Sequence, residues 1–310
     1  MPTLFWSVVI PAYEPKPHYL EQTLQSVLSQ DPGSESMQLE VVDDCSPTVD
    51  VKQIVRAVAG DRVHFSQTDV NLGLAGCWNK CIERAQGEWV HILHQDDYVL
   101  PGFYAEIEKI AASHPEVGLI AARSFFVDDE GVINGITPRI RTLERGGRTV
   151  SEFLYDNPIQ FPGVVVRKET YEKHGNFRDD LSYTLDWEMW TRIVDQDGGV
   201  VSPQVLASYR VTDQNESNRL AKTGETLADR AKLNKIFAER YKDFDARAAN
   251  RRVCEVALSR ARAFEISGDK QAAQAQLNYW RQNAPITAKA RHYSGLIYRS
   301  FQSAFSKLLH

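Results

Sequence analysis

Apolar runs and helically spaced apolar positions alternate along the first 126 residues. Phe5-Trp-Ser-Val-Val-Ile10 is a continuous apolar run, the pattern of a strand buried on both faces. It ends at Pro11-Ala-Tyr-Glu-Pro15, a proline-bounded loop. Leu20, Leu24, Val27 and Leu28 then recur at helical spacing, and Leu39 to Val42 is a second buried strand that runs into Asp43-Asp44. Val51, Ile54, Val55 and Val58 predict another helix, and Arg62 to Ser66 a short third strand. Asn71-Leu-Gly-Leu-Ala-Gly76 leads into a helix through Trp78, Cys81 and Ile82. Trp89 to Leu93 is the fourth strand and ends in Asp96-Asp97; Pro101 and Gly102 then open a helix through Phe103, Ile107 and Ile110. Val117 to Ala122 starts a fifth strand. This alternation predicts an α/β fold with a parallel sheet, helices on both faces and right-handed crossovers.

The pattern then changes. Residues 128 to 147 are rich in Gly, Arg and Asp and read as a hairpin or mobile loop. Val150, Phe153 and Leu154 begin a short helix, Val164 to Val166 is a strand, and the helix Thr170 to His174 stops at Gly175. Trp187, Trp190, Ile193 and Val194 share one helix face with Asp186 at its start. Val200 to Val211 is extended. From about Thr223 onward only helices are predicted, with a helical hairpin around Gly268-Asp269. We divide the chain into residues 1–220 and a C-terminal helical region, 221–310. The tail has Tyr293, Ile297, Phe301 and Phe305 at helical spacing beside Lys289, Arg291, Arg299 and Lys307. It reads either as a packing helix or as a basic amphipathic surface for an anionic membrane.

Composition narrows the class. The net charge of -5 argues against a broad nucleic-acid surface. No apolar run approaches the ~20 residues of a membrane helix. The first residues lack the basic and apolar regions of a signal peptide. Cys45, Cys77, Cys81 and Cys254 form no Cys-x-x-Cys pair, and Cys77 and Cys81 lie one helical turn apart as core-facing thiols. A reduced, cytoplasmic protein is expected.

Three strands end in polar loops that gather on one sheet edge: 11–14, 43–46 and 94–97. In open α/β sheets ligands bind at the carboxyl ends of strands, so a nucleotide-type site is expected there. The adjacent carboxylates Asp96 and Asp97 suit a hard divalent cation whose other ligands are water or substrate phosphate. The alternative is a solvated turn that caps the next helix. Asp186 has a similar alternative, as a helix N-cap. There is no Gly-x-x-x-x-Gly-Lys-Ser/Thr loop and no Gly-x-Gly-x-x-Gly after the first strand.

Taken in order, Val-Val-Ile-Pro-Ala-Tyr, Val-Val-Asp-Asp-Cys-Ser, Asn-Leu-Gly-Leu-Ala, His-Gln-Asp-Asp-Tyr-Val-Leu-Pro and Asp-Trp-Glu-Met-Trp resemble the family 2 inverting glycosyltransferases of GT-A fold. The likeness covers roughly residues 4 to 215. It implies that Pro11, Ala12, Tyr13 and Glu14 line a base and ribose pocket, and that Asp43 accepts a hydrogen bond from the base. It implies that Asp44 supports that loop and that Asn71 and Gly73 shape the nucleotide pocket. Asp96 matches the last acid of an Asp-x-Asp motif and would bind Mg²⁺ or Mn²⁺, with Asp97 beside it at the substrate. Asp186 matches the catalytic base. Three positions depart from the family pattern. His94 replaces the first acid of Asp-x-Asp, Leu185 precedes Asp186 where an acid is common, and Val-Thr-Asp213 follows Arg210 where a His is frequent.

The resemblance implies transfer of a hexosyl or deoxyhexosyl group from a nucleotide sugar, UDP favoured and dTDP next. The acceptor would be a glycan or glycolipid hydroxyl in surface polysaccharide or lipid-linked glycan synthesis. The competing class is a catalytically silent sugar-nucleotide-binding or scaffolding module. A nucleotidyltransferase is disfavoured, because Pro11 to Pro17 is not a Gly-rich basic loop.

Overall fold

The computed structural model describes residues 4–140, 142–143, 147–212 and 215–290. It divides into two units, Met1–Asp213 and Gln214–His310. In the first unit the elements run β1 (Trp6–Ala12), α1 (Pro17–Leu28), β2 (Met37–Asp43), α2 (Val51–Ala59), β3 (His64–Gln67), α3 (Gly73–Arg84), β4 (Trp89–Ile92), β5 (Tyr98–Val99), α4 (Phe103–Ser113) and β6 (Leu119–Val127). They continue with β7 (Ile133–Ile136), β8 (Thr142–Leu143), α5 (Gly147–Phe153), a 3-10 turn (Phe161–Gly163), β9 (Val164–Arg167), α6 (Lys168–His174), α7 (Leu185–Asp197) and β10 (Gly199–Arg210).

One sheet carries the order β3-β2-β1-β4-β9-β6-β10-β5, with β7 on β6 and β8 on β10. The half built from β3, β2, β1 and β4 is parallel. All seven residues of β1 are buried, as expected for a central strand covered on both faces. The other half is mixed. β9 runs antiparallel between β4 and β6, and β6 then pairs parallel with β10. The wholly parallel sheet expected from the alternation is therefore corrected: β9 separates the fourth strand from the next. Its apolar Val164-Val-Val166 suits a buried strand of either direction, so the pattern alone did not fix its sense.

The main core lies between this sheet and its helices, around Trp6, Val8, Leu20, Leu24, Val41, Trp89, Phe103, Ile107 and Ile120. Burying such side chains stabilises by ~1.5–3 kcal/mol each. Gly87 has no room for a side chain, because an added Cβ would lie 2.4 Å from the Trp6 carbonyl carbon.

The second unit comprises α8 (Glu216–Thr223), α9 (Glu225–Arg240), α10 (Ala246–Ile266) and α11 (Lys270–Asn283). Asn215, Asp245 and Asp269 cap α8, α10 and α11 through side-chain bonds to backbone N–H groups. Leu227, Val253, Ala257 and Trp280 form the centre of its core. Among the described residues, no helix is long and apolar enough to cross a membrane. The basic amphipathic pattern of the tail lies, from residue 291 on, outside the described residues.

Candidate functional site

The carboxyl edge of the parallel half is built strand by strand. β1 continues two residues past the apolar run that predicted it, so Pro11 and Ala12 are buried strand residues, not loop. The β1–β4 ladder has stopped at Val9↔Ile92, so Pro11 withholds no N–H from that neighbour. Tyr13 follows, 46% exposed. Glu14 has φ 46° and turns the chain back. Its carboxylate accepts from the Thr48 hydroxyl, from Thr48 N–H at 2.8 Å and from Val49 N–H at 3.1 Å. These bonds, the hydroxyl's foremost, hold its carboxyl below the usual range. The Glu14 side chain is thus bonded to the approach to α2.

Asp43 ends β2, Asp44 follows it, and both are buried. Asp43 Oδ1 accepts from the Ser46 hydroxyl at 2.6 Å, and its Oδ2 accepts from Gln67 Nε2 at 2.7 Å. Asp44 faces the start of α3. It accepts from Leu72 N–H at 2.8 Å, Gly73 N–H at 3.0 Å and Thr68 Oγ1 at 3.1 Å. Asn71 Nδ2 donates to the Asp44 carbonyl at 3.3 Å. Gly73, at φ 71°, takes a backbone conformation that side chains disfavour. One carboxylate therefore fixes the 71–73 turn to the end of β2.

The loop after β4 carries His94, Gln95, Asp96 and Asp97. His94 stacks on Phe161, with centroids 4.1 Å apart, and on Trp78 at 4.8 Å. Burial, with His91 second, lowers its pKa to about 3, so the imidazole is neutral. Asp97 is buried and accepts from Arg210 N–H at 2.8 Å. Burial, and then the charge of Asp96, pushes its carboxyl well above the usual range. Among the described residues its other oxygen has no hydrogen-bond partner; it lies 3.7 Å from His94 Nδ1. Asp96 differs. It is half-buried, and none of the other described residues donates a hydrogen bond to its carboxylate. Burial raises its pKa, opposed by Arg210 and Lys16.

Two residues hold this loop from behind. Thr23 Oγ1 on α1 lies 2.7 Å from the Asp97 carbonyl and 3.0 Å from that of Gln95. The buried Arg210 guanidinium donates to the carbonyls of Asp96, at 3.0 Å, and Asp128, also at 3.0 Å, and to Gln22 Oε1 at 2.5 Å. It also lies 4.2 Å over the Tyr19 ring. Thr23, Gln95 and Arg210 join the site only in the folded chain, and the sequence assigns them no role there. Tyr209-Arg210 closed the last predicted strand, but nothing in the local pattern pointed to partners 82 to 188 residues away.

Asp186 is the second residue of α7, whose N-cap is Thr184, so it is not the N-cap itself. Its Oδ1 accepts from Trp187 N–H at 2.7 Å, and Asn157 Nδ2 donates to Oδ2 at 3.3 Å. From the same helix Trp190 packs on Phe161 at 5.6 Å, and Phe161 stacks on His94. An aromatic column thus joins the Asp186 helix to the Asp96 loop.

Among the described residues, no group of three or more His, Cys, Asp or Glu side chains is arranged to hold a metal ion. Asp96 fits a divalent cation that takes most of its ligands from water and substrate phosphate: its carboxylate is hard, partly desolvated and takes no hydrogen bond from the other described residues. Asp97 does not fit this role, because its carboxyl is buried and bonded to Arg210 N–H.

Comparison with known proteins matches residues 7–170 to the model of glycosyl transferase family 2. The amylovoran biosynthesis glycosyltransferase AmsE of Erwinia amylovora is 29% identical over 213 residues, covering 66% of this chain and 76% of that protein. A solved structure of Staphylococcus aureus TarS 1-349 in complex with UDP-GlcNAc superposes with a TM-score of 0.57 at 17% identity, covering 90% of this chain and 92% of the other. The mannosyltransferase PcManGT of Pyrobaculum calidifontis, solved with GDP-Man and Mn2+, gives 0.55 at 17% identity, covering 96% and 83%. These neighbours share the GT-A fold. The mixed sheet, the acid-tipped strand ends and the family match agree: the chain belongs to glycosyl transferase family 2.

Proposed function

We propose that this chain moves a sugar from a nucleoside diphosphate sugar to a hydroxyl acceptor with inversion at the anomeric carbon. The observation that carries this reading is the half-buried, uncommitted Asp96 carboxylate, held at the same sheet edge as the Asp44-pinned 71–73 turn. The nucleoside would lie across Tyr13 and Asp43. Asp44 and Asn71 would hold the pocket wall through the bonds they already make.

Asp96 would hold Mg²⁺ or Mn²⁺, which supplies Lewis-acid stabilisation to the leaving diphosphate. The chain's own residues do the rest. As the acceptor oxygen forms its bond to the anomeric carbon, the Asp186 carboxylate takes the hydroxyl proton. The bond to the diphosphate oxygen breaks and its electron pair leaves with the nucleotide. Attack opposite to the leaving group inverts the centre. General-base help of this kind is worth ~10²–10⁴ in rate. Asn157, which donates to Asp186, would orient the base.

UDP is the favoured nucleotide, supported by the TarS complex with UDP-GlcNAc; the GDP-Man complex of PcManGT keeps the panel of donors wide. The names of AmsE and of poly(ribitol-phosphate) beta-N-acetylglucosaminyltransferase TarS support a surface glycan or glycolipid acceptor. Asp186→Asn tests the assignment. Transfer should fall by at least ~10²-fold with donor affinity unchanged. Loss of donor binding together with a large drop in melting temperature would instead assign Asp186 a structural role.

A further inference from the structure

The strands β1 and β4 are hydrogen-bonded only as far as Val9↔Ile92 and the Leu93 N–H bond to the Val9 carbonyl. β1 then stays with β2 through Ala12↔Asp43. The pairing therefore breaks between the end of β1 and the loop after β4, and ligands of open α/β sheets bind where neighbouring strands part. The Gln95 side chain spans the break. Gln95 Oε1 accepts from Tyr13 N–H at 2.8 Å, and Gln95 Nε2 donates to the Tyr13 carbonyl at 3.1 Å. The amide exchanges both bonds with one backbone residue, as paired strand residues do. Its orientation is fixed, because the reversed amide would set N–H against N–H and oxygen against oxygen. Behind it the Gln95 carbonyl is tied to Thr23 Oγ1 at 3.0 Å. Tyr13 lies on one side of this break, and Asp96, the next residue after Gln95, on the other.

We infer that Gln95 is a positioning residue that couples the two halves of a nucleoside diphosphate site. The nucleoside half would order Tyr13, and the diphosphate half would order the Asp96 loop. The Gln95 amide makes each arrangement favour the other. This rests on the donor reading proposed above. Any ligand that orders Tyr13 holds the Gln95 amide, and with it the peptide that follows into Asp96. Coupling between two sites is reciprocal, so it reads out from either half.

The test uses the full chain and the two halves of the ligand separately. Uridine, thymidine and guanosine are titrated by NMR, and Mn²⁺-diphosphate by calorimetry, each alone and with the other saturating. In the wild type the nucleoside that binds should tighten Mn²⁺-diphosphate by at least ~5-fold, the lower end of ordinary coupling. In Gln95→Met, of similar length but without the amide, each half should still bind alone and the tightening should vanish. Gln95→Glu, which keeps the acceptor for Tyr13 N–H but sets an oxygen against the Tyr13 carbonyl, should also lose it. A purely structural role would lower the melting temperature and leave the coupling ratio intact, which would overturn the inference. So would wild-type halves that bind independently. Failure of both halves to bind the folded wild type would remove the donor reading itself, a result separable from the other two.

Discussion

The backbone N–H of Arg210 donates to the Asp97 carboxylate at 2.8 Å while its guanidinium donates to the Asp96 carbonyl at 3.0 Å. One residue at the end of β10 thus holds both members of the acid pair, one by side chain and one by main chain. None of the other described residues donates a hydrogen bond to the half-buried Asp96 carboxylate.

Arg210→Met should therefore cost ~2–4 kcal/mol, because it removes the buried guanidinium that donates to the half-buried carbonyls of Asp96 and Asp128. Arg210→Lys should recover only part of this, since an ammonium lacks the planar fork that reaches several acceptors at once. Urea denaturation measures both. Wild-type stability in Arg210→Met would show that the hub carries no net energy.

The adjacent acids should respond oppositely to neutralisation. Asp97 is pushed towards its uncharged form by burial and by Asp96, and an amide keeps the oxygen that Arg210 N–H needs. Asp97→Asn should change stability by less than ~1 kcal/mol and retain donor binding. Asp96→Asn should keep the fold and abolish the metal dependence of donor binding. Melting curves with and without Mn²⁺ separate the two. Equal effects at both positions would contradict the division of roles.

His91 carries a pH signature. It is fully buried between Tyr104 Oη at 3.2 Å and the Pro162 carbonyl at 3.1 Å. Burial lowers its pKa from 6.5 to about 4. The unfolded chain thus binds more protons than the folded one between those two values. This contribution, on the order of 3 kcal/mol, is complete above the unfolded pKa and is lost as pH falls towards the folded one. The raised carboxyls of Asp96 and Asp97 act in the opposite sense. His91→Gln should therefore flatten the rise of melting temperature with pH across this window. An unchanged slope would refute the assignment to His91.

Asp44→Ala should release the 71–73 turn. It removes the acceptor of Leu72 N–H and one of two acceptors of Gly73 N–H, which also reaches Asn71 Oδ1 at 3.0 Å, at a cost of ~1–3 kcal/mol. Amide exchange at Leu72 and Gly73 should speed up, with exchange in the C-terminal helices unaltered. Protection that persists at both amides would mean that the loop holds itself.

The acid-tipped strands were legible because burial imposes apolar runs and leaves the carboxylates in the short polar stretches directly after them. Asp43, Asp44, Asp96 and Asp97 were found that way. What was not legible depended on partners remote in sequence. Gln95 reads as a loop residue until Tyr13 is brought to it, 82 residues away. Thr23 reads as one more position of α1 until the Asp97 carbonyl meets it. The direction of β9 was hidden for a similar reason, since neighbours and not composition decide whether a short apolar strand runs parallel or antiparallel. Glu14 shows the converse. The pattern marked it correctly as a strand-end residue, but three donors at Thr48 and Val49 turn its carboxylate towards α2.

The most direct measurement is a thermal-shift panel of UDP-, dTDP- and GDP-sugars, each with and without Mn²⁺ or Mg²⁺, on the wild type and Asp96→Ala. A donor at 100 times its dissociation constant stabilises the fold by ~2.7 kcal/mol, a readily visible shift. A metal-dependent rise in melting temperature is expected with one nucleotide, lost in Asp96→Ala. No rise with any donor in folded protein, or a rise that survives Asp96→Ala undiminished, would contradict it.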